Sequence, residues 1–166
     1  MSIKDAVERA SAYLTEHPDE ARYRDGAATA RIEAGLVATV TGPGGERLTT
    51  DMPAGIGGTA TAPSPGWFLR AAVASCVASL IAIRAASTGA RVDAIEVTVD
   101  SESDDRGILG LDDAVPAGAL SARIAVRLGG TDLDGGERRK LVTWAVAHCP
   151  VSDSLGRAVP LEVDVA

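Results

Sequence analysis

Ile3, Ala6, Val7, Ala10 and Leu14 recur at helical spacing with charged residues between them, so the chain opens on an amphipathic helix over about Ser2–Glu16, ended by His17 and Pro18. From Ala27 to Val40 the period changes to two. Ala30, Ile32 and Ala34 alternate with Thr29, Arg31 and Glu33, and Leu36, Ala38 and Val40 continue one face, which predicts a strand or a bent pair of strands. A turn at Gly42–Gly45 leads into a short partner strand over Glu46–Thr50, and the glycine-rich Met52–Pro63 reads as a loop. Ser64 as N-cap and Pro65 in the first helical position open a long helix that runs to about Ser87 and stops at Gly89. Strands are predicted over Ala94–Asp100 and Ala119–Leu128, on either side of an aperiodic acidic stretch, Ser101–Gly118. A helix over Glu137–Ala147, buried on Leu141, Trp144, Ala145 and His148, is stopped by Pro150, and Leu161–Val165 alternates as a last strand. The order is that of an α+β protein with helices against a mainly antiparallel sheet.

The helix after Pro65 differs from the others because nearly every face of it is apolar. Ala71, Ala72, Ala74, Ser75, Ala78, Ser79 and Ala82 would let another element approach closely, and a short chain can hardly cover such a helix, which points to oligomeric packing. Its apolar run, Ala71–Ile83, falls short of the roughly 20 residues of a transmembrane span and reads as a core helix.

Composition narrows the function. With 166 residues, 46% hydrophobic and 23% charged, the chain can bury a core. Its 23 acids against 16 bases, without a basic block, argue against nucleic acid and anionic membranes, and five aromatics are too few for base stacking. Ser2–Leu14 lacks the apolar core of a secretory signal, so a cytoplasmic protein is expected.

Cys76 sits in the apolar helix and Cys149 in the string HCPVSDSL. They are read either as a redox pair, in which one thiol reacts with an oxidant and the other resolves it, or as two unrelated core thiols; composition alone leans to the second. Desolvation in an apolar helix raises a thiol pKa, so Cys76 needs a nearby cation to react at neutral pH. Ligand spacings for a metal are missing, His148 suits a helix end, no G-x-S-x-G string occurs, and the GPGG and GIGG strings read as turns. No metal or cofactor is expected.

Three strings resemble the OsmC/Ohr family of thiol-dependent hydroperoxide reductases: GGTATAPSPGWFLRAAVASCVASL at 57–80, DRGILGLDDAV at 105–115 and HCPVSDSL at 148–155. The resemblance spans about Ala27–Val165. It implies an OsmC-like domain over 27–166, preceded by a helix and linker over 1–26. It further implies an intertwined, obligate homodimer with antiparallel β-sheets wrapped around long central helices and active sites at the subunit interface. Cys76 would be the peroxidatic and Cys149 the resolving cysteine. The substrate would be an organic hydroperoxide or hydrogen peroxide, and the reductant a dithiol, often lipoyl-bound in the family. The chain departs from the family where an acid follows the helix-opening proline to orient an arginine, because Gly66 and Trp67 stand there. Arg31 is the best candidate for that arginine; Arg24 lies far upstream, and Arg70 and Arg84 read as helix-end residues with solvated heads. The alternatives are a non-catalytic OsmC-like protein that binds a small apolar molecule, and an electrophile scavenger or thiol hydrolase that needs Cys76 alone.

Overall fold

The computed structural model describes residues 1–165 and divides into two compact units, one formed by Met1–Glu8 with the chain from Arg70 onward, the other by Arg9–Leu69. Ala166, the end of the expected domain, lies outside the described residues.

The Arg9–Leu69 unit is built on three strands. β1 (Thr29–Ile32), β2 (Ala38–Thr41) and β3 (Arg47–Thr50) form an antiparallel sheet in that order. The alternating stretch is thus a pair of strands, reversed at Gly35, whose φ of 61° lies in the left-handed region that glycine enters without strain. The register gathers Thr29, Arg31, Thr39, Thr41 and Arg47 on one face and Ala30, Ile32, Ala38, Val40 and Leu48 on the other.

α1 (Ile3–Glu16) forms as its periodicity requires, opened by reciprocal bonds at 3.1 Å between the Ser2 and Asp5 side chains and backbone amides. None of its residues is buried.

In the other unit β4 (Ala94–Glu102) and β5 (Ser121–Gly129) pair antiparallel along their whole length. Ile95, Val97, Val99, Ile124, Val126 and Leu128 face the core, while Asp100–Arg123 and Glu96–Arg127 pair across the exposed face at 2.8 and 3.0 Å. Between the strands, where no periodicity was expected, Asp104 caps a single helical turn, α3 (Asp105–Ile108).

α2 (Pro65–Thr88) begins where Ser64 Oγ accepts the Trp67 N–H at 3.2 Å and ends where Gly89 takes a φ of 74° and the Ala90 N–H returns to Ala85 O. α4 (Gly135–Ala147) starts on an Asp134–Glu137 capping box. One stripe of α2 (Val73, Val77, Ile81, Ala85) and a stripe of Leu141, Ala145 and Cys149 form the buried core, both at four-residue spacing. Burying Val77 and Ile81 completely contributes about 1.5–3 kcal/mol each. No other residue of α2 is buried, and Trp67 and Leu69 remain about half exposed. With 24 residues and a mean hydropathy of 1.8, α2 is long and apolar enough to cross a membrane, longer than its apolar run suggested; its buried stripe places it as a core helix.

Three expectations are corrected. Pro150 does more than end α4, because it takes the first turn of a further helix, α5 (Pro150–Gly156). His148 is exposed, because α4 presents the four-residue stripe Leu141, Ala145, Cys149 inward and turns the preceding residue out. Leu161–Val165 is not a strand: alternation supplies two faces, but a strand also needs a hydrogen-bonding neighbour, and Leu161, Val163 and Val165 are more than four-fifths exposed.

Candidate functional site

Cys76 lies on α2 directly before Val77, at the edge of the buried stripe, so its thiol is half-buried. Cys149 is the last residue of the α4 stripe and is fully buried. It is also the N-cap of α5, where its Sγ accepts the Ser152 N–H at 3.4 Å. Two helices with four-residue apolar periodicity thus bring together cysteines 73 positions apart in sequence (149 minus 76).

The two thiols lie close enough for each to shift the ionisation of the other. Both are free. Burial is the largest influence on Cys76 and pushes its pKa up; the neighbouring Cys149 pushes it further, against a smaller lowering by the Val151 amide. Burial also acts to raise Cys149, but there the hydrogen bonds from Ser152, Cys76 and the Val151 amide outweigh it, and Cys149 lies below the ordinary thiol value.

Among the described residues of this unit, no guanidinium is hydrogen-bonded to either sulfur. Arg70 reaches Ser101 Oγ at 3.3 Å, and Arg84 lies 4.7 Å from the centre of the Trp144 ring, so neither head is simply solvated. Arg91, Arg106, Arg123, Arg127 and Arg157 are paired with Asp93, Asp104, Asp100, Glu96 and Asp153. The first turn of α2 holds no acid, only Gly66 and the half-exposed Trp67. Arg31 is exposed on β1 in the Arg9–Leu69 unit, in an open groove of about 650 Å³ lined by Thr29, Glu33, Thr39 and Arg47. His148 stacks on Trp144 at 4.2 Å, and its Nδ1 lies 2.8 Å from Trp144 O. Among the described residues no three metal-ligating side chains cluster.

The sequence reading missed Asp51. Its carboxylate is 1% exposed and accepts the N–H and hydroxyl of both Thr59 and Thr61 and the Met52 N–H, at 2.6–3.1 Å. The Thr59 hydroxyl bond is the largest influence holding it far below the usual carboxylate range. With the Asp51 N–H on Pro63 O, this carboxylate folds the Met52–Pro63 loop back on itself and sets where α2 begins. Gly58 passes so close to Met52 that a Cβ there would lie 1.8 Å from its carbonyl oxygen. The T-x-T string of Thr59 and Thr61 after an Asp at a strand end was the available signal.

A family model described as OsmC-like protein matches residues 58–164. Solved structures share the fold. An organic hydroperoxide resistance protein OsmC from Legionella pneumophila aligns at TM-score 0.63 and 22% identity over 81% of this chain and 90% of that one. An organic hydroperoxide resistance protein from Elizabethkingia anophelis aligns at 0.65 and 18% over 81% and 89%, and OhrB of Bacillus subtilis at 0.55 and 23% over 79% and 90%. No curated protein sequence matches the chain.

Proposed function

The chain belongs to the OsmC-like family, and from that premise we propose that it is a thiol peroxidase of oxidative stress defence, reducing organic hydroperoxides or hydrogen peroxide through Cys76 and Cys149. The observation that carries this reading is that Cys76 packs against the buried cluster that ends in Cys149, close enough for each thiol to shift the ionisation of the other. Cys76, the more accessible, attacks the outer peroxide oxygen; the O–O bond breaks, the alcohol leaves, and a sulfenic acid remains. Cys149 then attacks that sulfur, water leaves, and the disulfide forms. A dithiol, free or lipoyl-bound, exchanges with the disulfide and returns both thiols.

The working unit in this reading is a homodimer. Only one stripe of α2 is buried, and Trp67 and Leu69 stay half exposed, so a second copy supplies the missing cover. In this assembly 27–166 forms the OsmC-like domain behind an N-terminal helix and linker, Arg31 is the candidate cation for Cys76, and the cytoplasm is the compartment. The test is a stopped-flow peroxide titration with thiol counting on wild type, Cys76→Ser and Cys149→Ser. Wild type should lose both thiols for each peroxide consumed, and Cys76→Ser none. Wild-type thiols that survive excess peroxide would favour the apolar-ligand binding protein instead.

A further inference from the structure

A cavity of about 480 Å³ lies between β5 and the start of α4. Its floor is aliphatic, made by Ile124, Val126 and Leu128 of β5 and Val142 of α4, each half-buried and packed against the core. Its charged groups are all of one sign. Arg127, Arg138 and Arg139 complete the lining, and among the described residues no carboxylate joins them. In a chain of formal charge -7 this is a local reversal of sign, which draws in an anion where most of the surface repels one.

The three arginines differ in what they are free to do. Arg127 is taken up by Glu96 at 3.0 Å. Arg138 donates from Nε to Leu133 O at 2.8 Å, which fixes the plane of its guanidinium and leaves its terminal nitrogens for another acceptor. Arg139 is exposed, and among the described residues neither it nor Arg138 has a carboxylate partner. Helix electrostatics do not account for this pair. Arg138 and Arg139 follow directly on the Asp134–Glu137 capping box, at the end of α4 where the helix dipole favours acids and opposes cations. A guanidinium offers paired N–H donors to a carboxylate, and an aliphatic floor beside it takes a hydrocarbon chain out of water.

We propose that the cavity between β5 and α4 binds an aliphatic monocarboxylate of medium chain length, its head received by Arg138 and Arg139 and its chain laid on Ile124, Val126, Leu128 and Val142. From Ile124 to Leu128 the floor extends about 13 Å along the strand, room for an alkyl chain and far more than a bare carboxylate needs. A small inorganic anion would leave that aliphatic floor in water, and an uncharged hydrocarbon would leave the two guanidiniums without an acceptor; only a ligand that joins the two uses the whole lining. The head fixes orientation and the chain supplies most of the affinity. Neither cysteine lines the cavity, so binding there is independent of the peroxide chemistry.

The test is isothermal titration calorimetry at neutral pH with octanoate, hexanoate, acetate and octanol, each below the concentration at which it aggregates. The proteins are wild type, Arg138→Gln, Arg139→Gln, the double variant, and Arg123→Gln as a control on the outer face of the sheet. Octanoate should bind once per chain, and hexanoate more weakly by up to about fourfold for each methylene lost from the floor. Octanol should bind at least about tenfold more weakly than octanoate, as should octanoate to either glutamine variant at position 138 or 139, while Arg123→Gln leaves binding unchanged. Arg138 and Arg139 are exposed, so these variants keep the fold. Octanol that binds as tightly as octanoate, or octanoate affinity unmoved in the double variant, overturns the proposal. Acetate that binds as tightly as octanoate means an adventitious ion only and overturns it as well. If octanoate fails to bind and the double variant instead lowers the mass measured by light scattering, the cavity is a contact between copies of the chain and the proposal falls.

Discussion

Cys149 caps α5 with the sulfur that ends the buried stripe of α4, and Cys76, the other cysteine of the chain, packs against that same buried cluster. A disulfide between them requires Cα atoms within about 7 Å. One equivalent of hydroperoxide should therefore produce an intrachain Cys76–Cys149 link, detectable by peptide mapping and reversed by a dithiol. Cys149→Ser should reduce one equivalent and then stall with Cys76 as the sulfenic acid, which further peroxide over-oxidises, its steady-state turnover falling by about 100-fold or more. Mapping that finds over-oxidised Cys76 in wild type and no link would remove Cys149 from the reaction.

The uncovered faces of α2 predict a dimer. Light scattering at micromolar concentration should give about twice the 16.9 kDa chain mass. Trp67→Glu, which sets a charge on the half-exposed apolar end of α2, should shift the mass toward the monomer. A monomeric wild type would contradict the assembly proposed above.

Burial raises the Cys76 thiol, and no carboxylate in the first turn of α2 holds a cation to lower it. Alkylation of Cys76 by iodoacetamide, followed by mass spectrometry, should still be climbing at about pH 9. A rate already flat near pH 6 would mean that another group ionises the thiol.

Asp51 ties its loop to stability at low pH. Its carboxyl is depressed in the folded state, so the unfolded chain binds the proton more readily. The contribution is complete above the unfolded value of about 3.9 and drains away as the pH falls below it toward the folded value. Asp51→Asn, which replaces an acceptor-only carboxylate inside a ring of donors, should lower Tm by several degrees at neutral pH and by a smaller amount at about pH 3. An equal loss at both pH values would show that the charge is irrelevant.

Ala60 has a φ of 53°, in the left-handed region, where a side chain costs about 1–2 kcal/mol. Ala60→Gly removes that strain and adds back roughly 0.5–1 kcal/mol of unfolded-chain entropy. The expected outcome is a gain of up to about 1 kcal/mol by chemical denaturation, and a clear loss would show that the Ala60 methyl packs usefully.

Period and punctuation carried most of the fold in the sequence itself. Ser64, Pro65 and Gly89 bounded α2 because capping and the left-handed exit depend on neighbouring residues alone. The alternation around Ile95 and Ile124 defined the β4–β5 faces for the same reason. The cysteines and their family strings were equally legible, since a motif is a local fact. Tertiary structure alone decided what depends on distant partners. Leu161–Val165 has the alternation of a strand and no neighbour to bond. Asp51 is buried because threonines eight and ten residues later fold back onto it. The meeting of Cys76 with Cys149 follows from two helical stripes packing together.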